Sequence, residues 1–134
     1  MKYWLVKTEP GTWSWTDQKK QNVTHWDGVR NYQAANNLKA MQVGDQCFFY
    51  HSVSEKCIVG IVEVVRTAYP DPTDETGRFV MVDVKYLKEL IKPVSLESIK
   101  NDSRLSNIAL VKQSRLSVMP ISADEWKVIL EHSL

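Results

Sequence analysis

The sequence predicts an α+β domain built on a curled, largely antiparallel sheet. About five or six short segments show the alternating or continuous apolar patterns of β-strands. Helix-capping residues and helical spacing mark short helices between and after them. A mixture of this kind, without regular β-α alternation, is typical of the α+β class. Closure of the sheet into a small barrel is compatible with this pattern but is not required by it.

Length and composition predict one soluble domain that spans residues 1–134. The chain has 43% hydrophobic and 25% charged residues, the balance of an ordinary globular protein with a single core. Its formal net charge is only +1. Dedicated nucleic-acid binders usually carry a strongly basic face, so any nucleic-acid binding here must be local.

The N-terminal region is predicted to form a strand and then a short helix. The apolar run within residues 2–7 is typical of a β-strand and stops before Pro10 and Gly11. Ser14 and Asp17 have the spacing of a helix-capping pair, so we expect a short helix to begin there. Gly28 marks a turn further along.

A second helix and a hairpin are predicted next. Ala34, Leu38 and Met41 fall on one helical face, which predicts a helix over residues 31–41. A strand at 46–52 and a longer strand at 57–68 form the predicted hairpin. Gly60 within the second strand indicates a bulge or a close backbone approach.

A loop is predicted at 69–77, and Asp71, Asp74 and Glu75 in it are expected to form a solvated acidic turn. The next predicted elements are a strand at 79–87, a short helix at 95–101 and closing strands at 108–111 and 115–119. The capping box of Ser122 and Glu125 predicts the start of a last helix.

Two segments, 26–36 and 48–52, concentrate the side chains that suggest a binding site. They place large flat rings beside amides, a guanidinium, an imidazole and hydroxyls. Aromatic faces bind planar rings by stacking, while amides can donate to and accept from a base edge. The set therefore favours a planar, uncharged, hydrogen-bonding ligand such as a nucleobase.

Trp26, Tyr32 and Tyr50 are the candidate stacking surfaces. Aromatic residues near turns and in strands are more often part of a core, and we expect Phe48 and Phe49 to be core residues. We expect the Trp26 indole, which directly precedes the Asp27-Gly28 turn, to face an open cavity.

Polar candidates surround these rings. Asn31 could read a base edge or cap the second helix. Arg30 could bind a phosphate, stack on a base or remain a surface residue. His51 and Ser52 end a predicted strand, where they could contact a ligand or cap the turn. The first strand end and a presumed late strand add Lys7, Glu9, Arg115 and Ser117.

Catalytic and metal-binding motifs are not recognisable in the sequence. Cys47 and Cys57 are expected to be buried, and they lack the further ligands that a zinc site needs. Cys57 with His51 is the one thiol and imidazole pair close in sequence, and we expect that thiol to be inert. No metal or cofactor is predicted, and a non-enzyme is favoured. The apolar run near the N-terminus is too short for a signal peptide or membrane span, so we expect a cytoplasmic protein.

The chain also resembles the EVE domain family of the PUA-like superfamily. The matching segments are residues 7–10, 26–36, 48–52, 69–71 and 115–118. They are distributed from end to end of the chain, so the resemblance extends over one whole domain. The resemblance implies a PUA-like mixed β-barrel flanked by short helices, similar to the YTH reader domains. It further implies recognition of modified bases, particularly modified cytosine in DNA, through an aromatic-lined pocket.

One departure from the family pattern bears on nucleic-acid affinity. Ala35 stands where the family often has an arginine, so a contact that such an arginine could make to a phosphate is absent. We therefore expect a shallow salt dependence of binding. Two further functions stay open at this point. One is an RNA-binding accessory domain for modified or structured RNA, and the other is an enzyme that acts on nucleosides or nucleotides.

Overall fold

A computed structural model describes all residues from Met1 to Leu134 and contains one six-stranded sheet with short helices around it. The strands are β1 (Tyr3–Thr8), β2 (Val23–Trp26), β3 (Gln46–His51), β4 (Cys57–Pro70), β5 (Val80–Ser95) and β6 (Val118–Ile121). The α-helices are α1 (Trp15–Gln21), α2 (Tyr32–Ala40), α3 (Leu96–Lys100), α4 (Ala109–Lys112) and α5 (Ala123–His132), with a 3-10 turn at Ser103–Leu105.

The strand order is β2-β5-β4-β3-β1-β6. Only the β1 and β3 pair is parallel, while the other four pairs are antiparallel. The predicted α+β class with a largely antiparallel sheet is therefore confirmed. The strands β2 and β6 are edges that do not pair with each other, so the PUA-like sheet is open and the word barrel describes only its curl.

Both faces of β3 are buried. Neighbouring residues of a strand point to opposite sides of the sheet, and both sides of β3 pack against aromatic rings. Phe48 stacks on Trp126 of α5, with ring centroids 3.8 Å apart. On the opposite face, Phe49 meets Trp15 and Trp26 edge-on at 5.0 and 5.6 Å. The prediction that both phenylalanines belong to the core is confirmed, since both are completely buried.

The helix starts follow their predicted caps. The Ser14 hydroxyl accepts a hydrogen bond from Asp17 N while the Asp17 carboxylate accepts one from Ser14 N, and Ser122 with Glu125 repeats this arrangement at α5. Such reciprocal caps satisfy amides that the helix itself leaves without partners.

Two predicted strands near the C-terminus need correction, and one observed strand is not among the predicted ones. The sequence predicts a strand at 108–111, but Ala109–Lys112 is a helix. A short apolar run does not distinguish strand from helix by its pattern alone. The predicted strand at 115–119 begins only at Val118, which leaves Arg115 in a turn. The edge strand β2 is not predicted, because four residues are too few for alternation to stand out.

Strand β5 is longer than the predicted 79–87 and continues through Pro93 to Ser95. Proline cannot donate to a neighbouring strand and is tolerated where one side of the strand is unpaired. Strand β2 pairs with β5 only as far as Lys85, so the exposed Pro93 lies on such an unpaired side.

Gly60 makes the close approach that its place in the strand predicts. The pairing of β3 with β4 shifts register beside it, between Phe49 and Tyr50. A Cβ atom on Gly60 would lie 2.1 Å from Cζ2 of the Trp15 side chain. The indole of Trp15 therefore packs directly on the backbone of β4, which fixes α1 against the sheet.

Replacing Gly60 with alanine should lower the free energy of unfolding by about 1–3 kcal/mol, because the buried Trp15 ring must shift to admit the methyl group. Urea denaturation measures the change. Gly11→Ala is the matched control, since a Cβ atom on Gly11 would have no other atom within 4 Å. Equal stabilities of the two variants would contradict this account of the β4 contact.

Candidate nucleobase site

A cavity of about 470 Å³ lies where the two edges of the sheet approach each other. The end of β1 and the following turn form one side, β2 and the loop after it form another, and Ser117 before β6 completes it. Lys7 N donates to Ser117 O at 2.9 Å, which joins the β1 and β6 walls. The lining residues are Lys7, Thr8, Thr12, Trp13, Thr24, His25, Trp26, Asp27, Gly28, Val29, Arg30 and Ser117.

Trp26 belongs to the core and to the cavity at once. Its exposed fraction is 7%, and its ring packs on Phe49, yet it lines the open cavity. The cavity beside Trp26 is present as expected, and neither His51 nor Ser52 belongs to its lining. The rigid packing on Phe49 holds the indole in place before any ligand arrives.

The loop that follows Trp26 is held by the carboxylate of Asp71. Gly28 N donates to Asp71 Oδ2 at 2.8 Å, and Arg30 Nη1 donates to the same oxygen at 3.1 Å. The hydroxyl of Thr73 accepts from Arg30 Nη2 at 2.8 Å and donates to Asp71 Oδ1 at 2.6 Å. Gly28 has φ +77°, a left-handed conformation that glycine adopts without strain.

The prediction that Asp71 belongs to a solvated acidic turn is wrong. Its side chain is completely buried. Burial raises the pKa of Asp71, but hydrogen bonds from Thr73, Gly28 and Arg30 outweigh this effect and hold the pKa below its ordinary value of 3.8. Asp71 is thus a charged anchor beneath the loop, and its neighbours Asp74 and Glu75 do not share this role.

His25 is held at the edge of the cavity by residues outside it. Its Nδ1 atom lies 2.8 Å from Asp83 Oδ1 and 2.9 Å from the Tyr69 hydroxyl. Tyr69 also donates to Asp83, and the Arg66 guanidinium lies 3.5 Å above the Tyr69 ring. Burial raises the pKa of Asp83, but hydrogen bonds from His25 and Tyr69 outweigh it and lower the pKa. Both contacts use Nδ1, so Nε2 can meet a ligand.

Lys7 bridges the cavity to the neighbouring turn. Its ammonium donates to Ser114 O at 2.9 Å and lies 5.8 Å from the centre of the Tyr50 ring. Burial lowers the pKa of Lys7, since the charged form loses hydration. The hydrogen bond to Ser114 O holds the Lys7 ammonium at the cavity wall.

Four of the eleven predicted site residues line this cavity: Lys7, Trp26, Arg30 and Ser117. Tyr50 and His51 are buried elsewhere, at 3% and 6% exposure. Ser52 is half-buried and Glu9 is exposed, both outside the lining. For these residues a direct ligand contact remains a prediction that their positions do not favour.

The other three predicted residues lie beside the cavity. Tyr32 is exposed and packs on Phe79, with ring centroids 5.1 Å apart. Asn31 uses its side-chain oxygen as the cap of α2, accepting from Ala34 N at 2.9 Å. Asn31 and Arg115 both line a second, adjoining cavity.

Several cavity residues are not among the predicted site residues. The eight that complete the lining are Thr8, Thr12, Trp13, Thr24, His25, Asp27, Gly28 and Val29. The four residues 23–26 are too few to mark a strand in the sequence, but in the structure Thr24 and Trp26 are the two buried residues of β2 and lie on one side of it. Trp13 follows the turn at Pro10 and Gly11, and the sequence gives no local sign that this turn folds back over β2.

The arrangement suits a flat polar ligand. The lining has two indoles, several hydroxyls, two cations, an imidazole and the exposed carboxylate of Asp27, which takes part in none of the ion pairs. The volume falls within the range of roughly 300–1,000 Å³ that small-molecule sites occupy. No group of three or more His, Cys, Asp or Glu residues is arranged to hold a metal ion. None of the helices combines the length and the hydropathy that a membrane-spanning helix requires.

The fold and this cavity define a small α+β domain of PUA-like type with an aromatic and polar site between its sheet edges. The chain belongs to the EVE domain family, whose model matches residues 2–132. It is 36% identical to thymocyte nuclear protein 1 of Gallus gallus, covering 96% of this chain and 67% of that relative.

Solved structures support the same grouping. A protein of Rhodopseudomonas palustris, determined by NMR, is 49% identical, with a TM-score of 0.94 over 99% of this chain and 93% of its own. The human THYN1 protein, crystallised in complex with 5-methylcytosine-containing DNA, is 33% identical, with a TM-score of 0.92 over 98% of this chain and 96% of its own.

Replacing Asp71 with asparagine should lower the free energy of unfolding at pH 7 by about 1.5–3 kcal/mol, because hydrogen bonds to a charged acceptor become bonds to a neutral one. The pKa of Asp71 is depressed in the folded state, so its stabilisation is present above the unfolded value and is lost as pH falls through the folded value. The difference between wild type and Asp71→Asn should therefore shrink below about pH 4.

Urea denaturation at pH 7 and at pH 3 measures both effects. Glu75→Gln, an exposed change in the same loop, is the control and should alter stability by less than about 0.5 kcal/mol. A difference for Asp71→Asn that stays constant with pH would contradict the anchoring role.

Proposed function

We propose that this chain is a non-catalytic module that binds DNA by taking a modified cytosine into the cavity beside Trp26. The observation that carries the proposal is the cavity itself, with indoles and hydrogen-bonding groups on its walls. A relative with the same fold was crystallised with DNA containing 5-methylcytosine, which supports this choice of base.

Stacking supplies the first part of the binding energy. Trp13 and Trp26 both line the cavity. Stacking contributes about 1–3 kcal/mol per base, while extrusion of a base from a duplex costs a few kcal/mol. These two amounts nearly cancel, so hydrogen bonds within the cavity and contacts to the flanking strand must supply the net affinity.

Asp27 supplies the hydrogen-bond acceptor that distinguishes cytosine from thymine. Cytosine carries an amine at N4, and carboxylates accept hydrogen bonds from that amine. Thymine carries an oxygen at the same position, which a carboxylate repels. Both 5-methylcytosine and thymine carry the methyl group, so Asp27 selects for the amine and the apolar lining at Val29 is available to the methyl.

The residues of the cavity favour binding over catalysis. The pair of His51 and Cys57 cannot serve as base and nucleophile there, since His51 Nε2 already accepts a hydrogen bond from Trp15 N at 2.9 Å. Burial, together with the nearby Glu55, raises the pKa of the Cys57 thiol and opposes thiolate formation.

We propose DNA and not RNA as the ligand, since the human relative was crystallised with DNA. Titration with a matched RNA strand carrying 5-methylcytidine tests this choice of ligand, and tighter binding of the RNA would support the RNA-binding alternative.

We further propose a cytoplasmic location for this chain, although the vertebrate relatives carry the word nuclear in their names.

Wild-type protein should bind a single-stranded oligonucleotide with one 5-methylcytosine more tightly than the same strand with thymine there. One good edge contact gives about 1–3 kcal/mol of discrimination, or about 5- to 150-fold. Asp27→Asn should bring this ratio close to one, since an amide can donate to thymine as well as accept from cytosine. Fluorescence anisotropy measures the dissociation constants.

Asp124→Asn serves as the control, because it makes the same chemical change at an exposed carboxylate outside the cavity lining. It should leave the ratio unchanged. An unmodified cytosine strand in the same series reports the contribution of the methyl group, expected at about 10- to 200-fold. Equal affinities of wild type for the modified and the unmodified cytosine strands would refute the proposed function.

A further inference from the structure

A second cavity, of about 370 Å³, adjoins the one proposed to bind the base. The start of α2 contributes Asn31 and Gln33, and the end of α4 with the segment that leads to β6 contributes the rest. The lining residues are Asn31, Gln33, Lys112, Gln113, Ser114, Arg115 and Leu116. We call this surface the basic groove.

The basic groove is rich in hydrogen-bond donors and has no acidic residue. Lys112 and Arg115 are exposed and take part in none of the ion pairs. Asn31 uses its side-chain oxygen to cap α2, which leaves its amide nitrogen as a donor for a ligand. Two cations beside free amide donors are complementary to an anion with several acceptor oxygens.

The absence of acidic residues separates this groove from comparable surfaces of the same protein. Four other cavities, of about 320 to 470 Å³, each have at least one carboxylate in their lining. With a net charge of only +1, the chain does not attract anions everywhere. Positive charge without a balancing carboxylate is instead concentrated next to the base cavity.

The two cavities share their walls. Arg30 lines the base cavity, while the adjacent Asn31 lines the groove. Likewise, Ser117 lines the base cavity and the adjacent Leu116 lines the groove. The ammonium of Lys7, a base-cavity residue, donates to the carbonyl of Ser114 in the groove at 2.9 Å. A base and its phosphates are covalently joined. When the base of a strand enters the base cavity, the phosphodiester backbone of that strand must therefore pass directly beside this cavity.

We propose that the basic groove binds the phosphodiester backbone of the strand whose base occupies the neighbouring cavity, with Lys112 and Arg115 as the phosphate contacts. The inference rests on the proposed function. It divides the work between two surfaces, because the cavity selects the base whereas the groove supplies affinity that does not depend on sequence.

The double variant Lys112→Gln with Arg115→Gln tests this division. Both residues are exposed, so the fold should be preserved, which thermal denaturation checks. Binding of single-stranded oligonucleotides, one with 5-methylcytosine and one unmodified, is measured by anisotropy over a series of salt concentrations. For single strands each phosphate contact adds about 0.7 to the slope of log affinity against log salt, so the variant should lose about 1.4.

The control variant Lys92→Gln with Lys127→Gln removes the same charge from exposed residues that line neither cavity. Its slope should equal that of wild type. The groove variant should also keep the wild-type ratio of affinities for the modified and unmodified strands. A groove-variant slope equal to that of the control would overturn the inference for either strand.

The two proposals fail in different ways. If the wild-type protein binds the modified and unmodified strands equally, the proposed function is refuted, whatever the salt slopes are. An unchanged slope in the groove variant refutes the phosphate site, even when the wild type discriminates the methyl group. The slope of log affinity against log salt for the unmodified strand, measured over a series that begins at low salt, tests the groove without any contribution from the methyl group.

Discussion

The buried carboxylate of Asp71 is the contact on which the candidate site depends. It holds Gly28 and Arg30 through the same oxygen, and these residues form one wall of the base cavity. A buried charge that loses its partner costs about 3–5 kcal/mol, so the loop cannot move away from Asp71 without a large penalty. The wall is therefore preformed, and a ligand does not have to order it.

The open sheet explains why a cavity exists at this place. In a closed barrel, β2 and β6 would pair and their backbones would fill the gap. Here the gap between these edges is lined by side chains from both, and the Trp26 indole is fixed at its base by Phe49. Preorganisation of this kind limits the entropy lost when a ligand binds. One indole therefore links the stability of the core to the shape of the site.

Local patterns predict most of the fold and a smaller part of the site. The caps at Ser14 and Ser122 follow from short-range chemistry, and the structure contains them. The glycine at position 60 marks a close approach, but its partner Trp15 is distant in the sequence. For Asn31 the sequence leaves capping and base reading open, and its oxygen caps α2. The segments 26–30 and 115–117, which the sequence marks as parts of a site region, do border the two cavities.

The missing site residues depend on long-range contacts that no local pattern encodes. Trp13 reaches the cavity because the turn after β1 folds over β2, and Asp71 is buried because a loop more than forty residues away closes over it. His51 is expected to be available at a strand end, but its ring is engaged by the backbone of Trp15. Sequence neighbours of a site are thus easier to predict than the partners that complete it.

The central claim, that the base binds in the cavity lined by Trp13 and Trp26, is tested most directly by the indole N–H signals of the five tryptophans in a ¹⁵N-labelled sample. On titration with a strand containing 5-methylcytosine, the signals of Trp13 and Trp26 should shift together. Trp4, bonded to the buried Asp45, and Trp126, stacked on Phe48, should not respond. Saturable binding that leaves Trp13 and Trp26 unmoved would contradict the account.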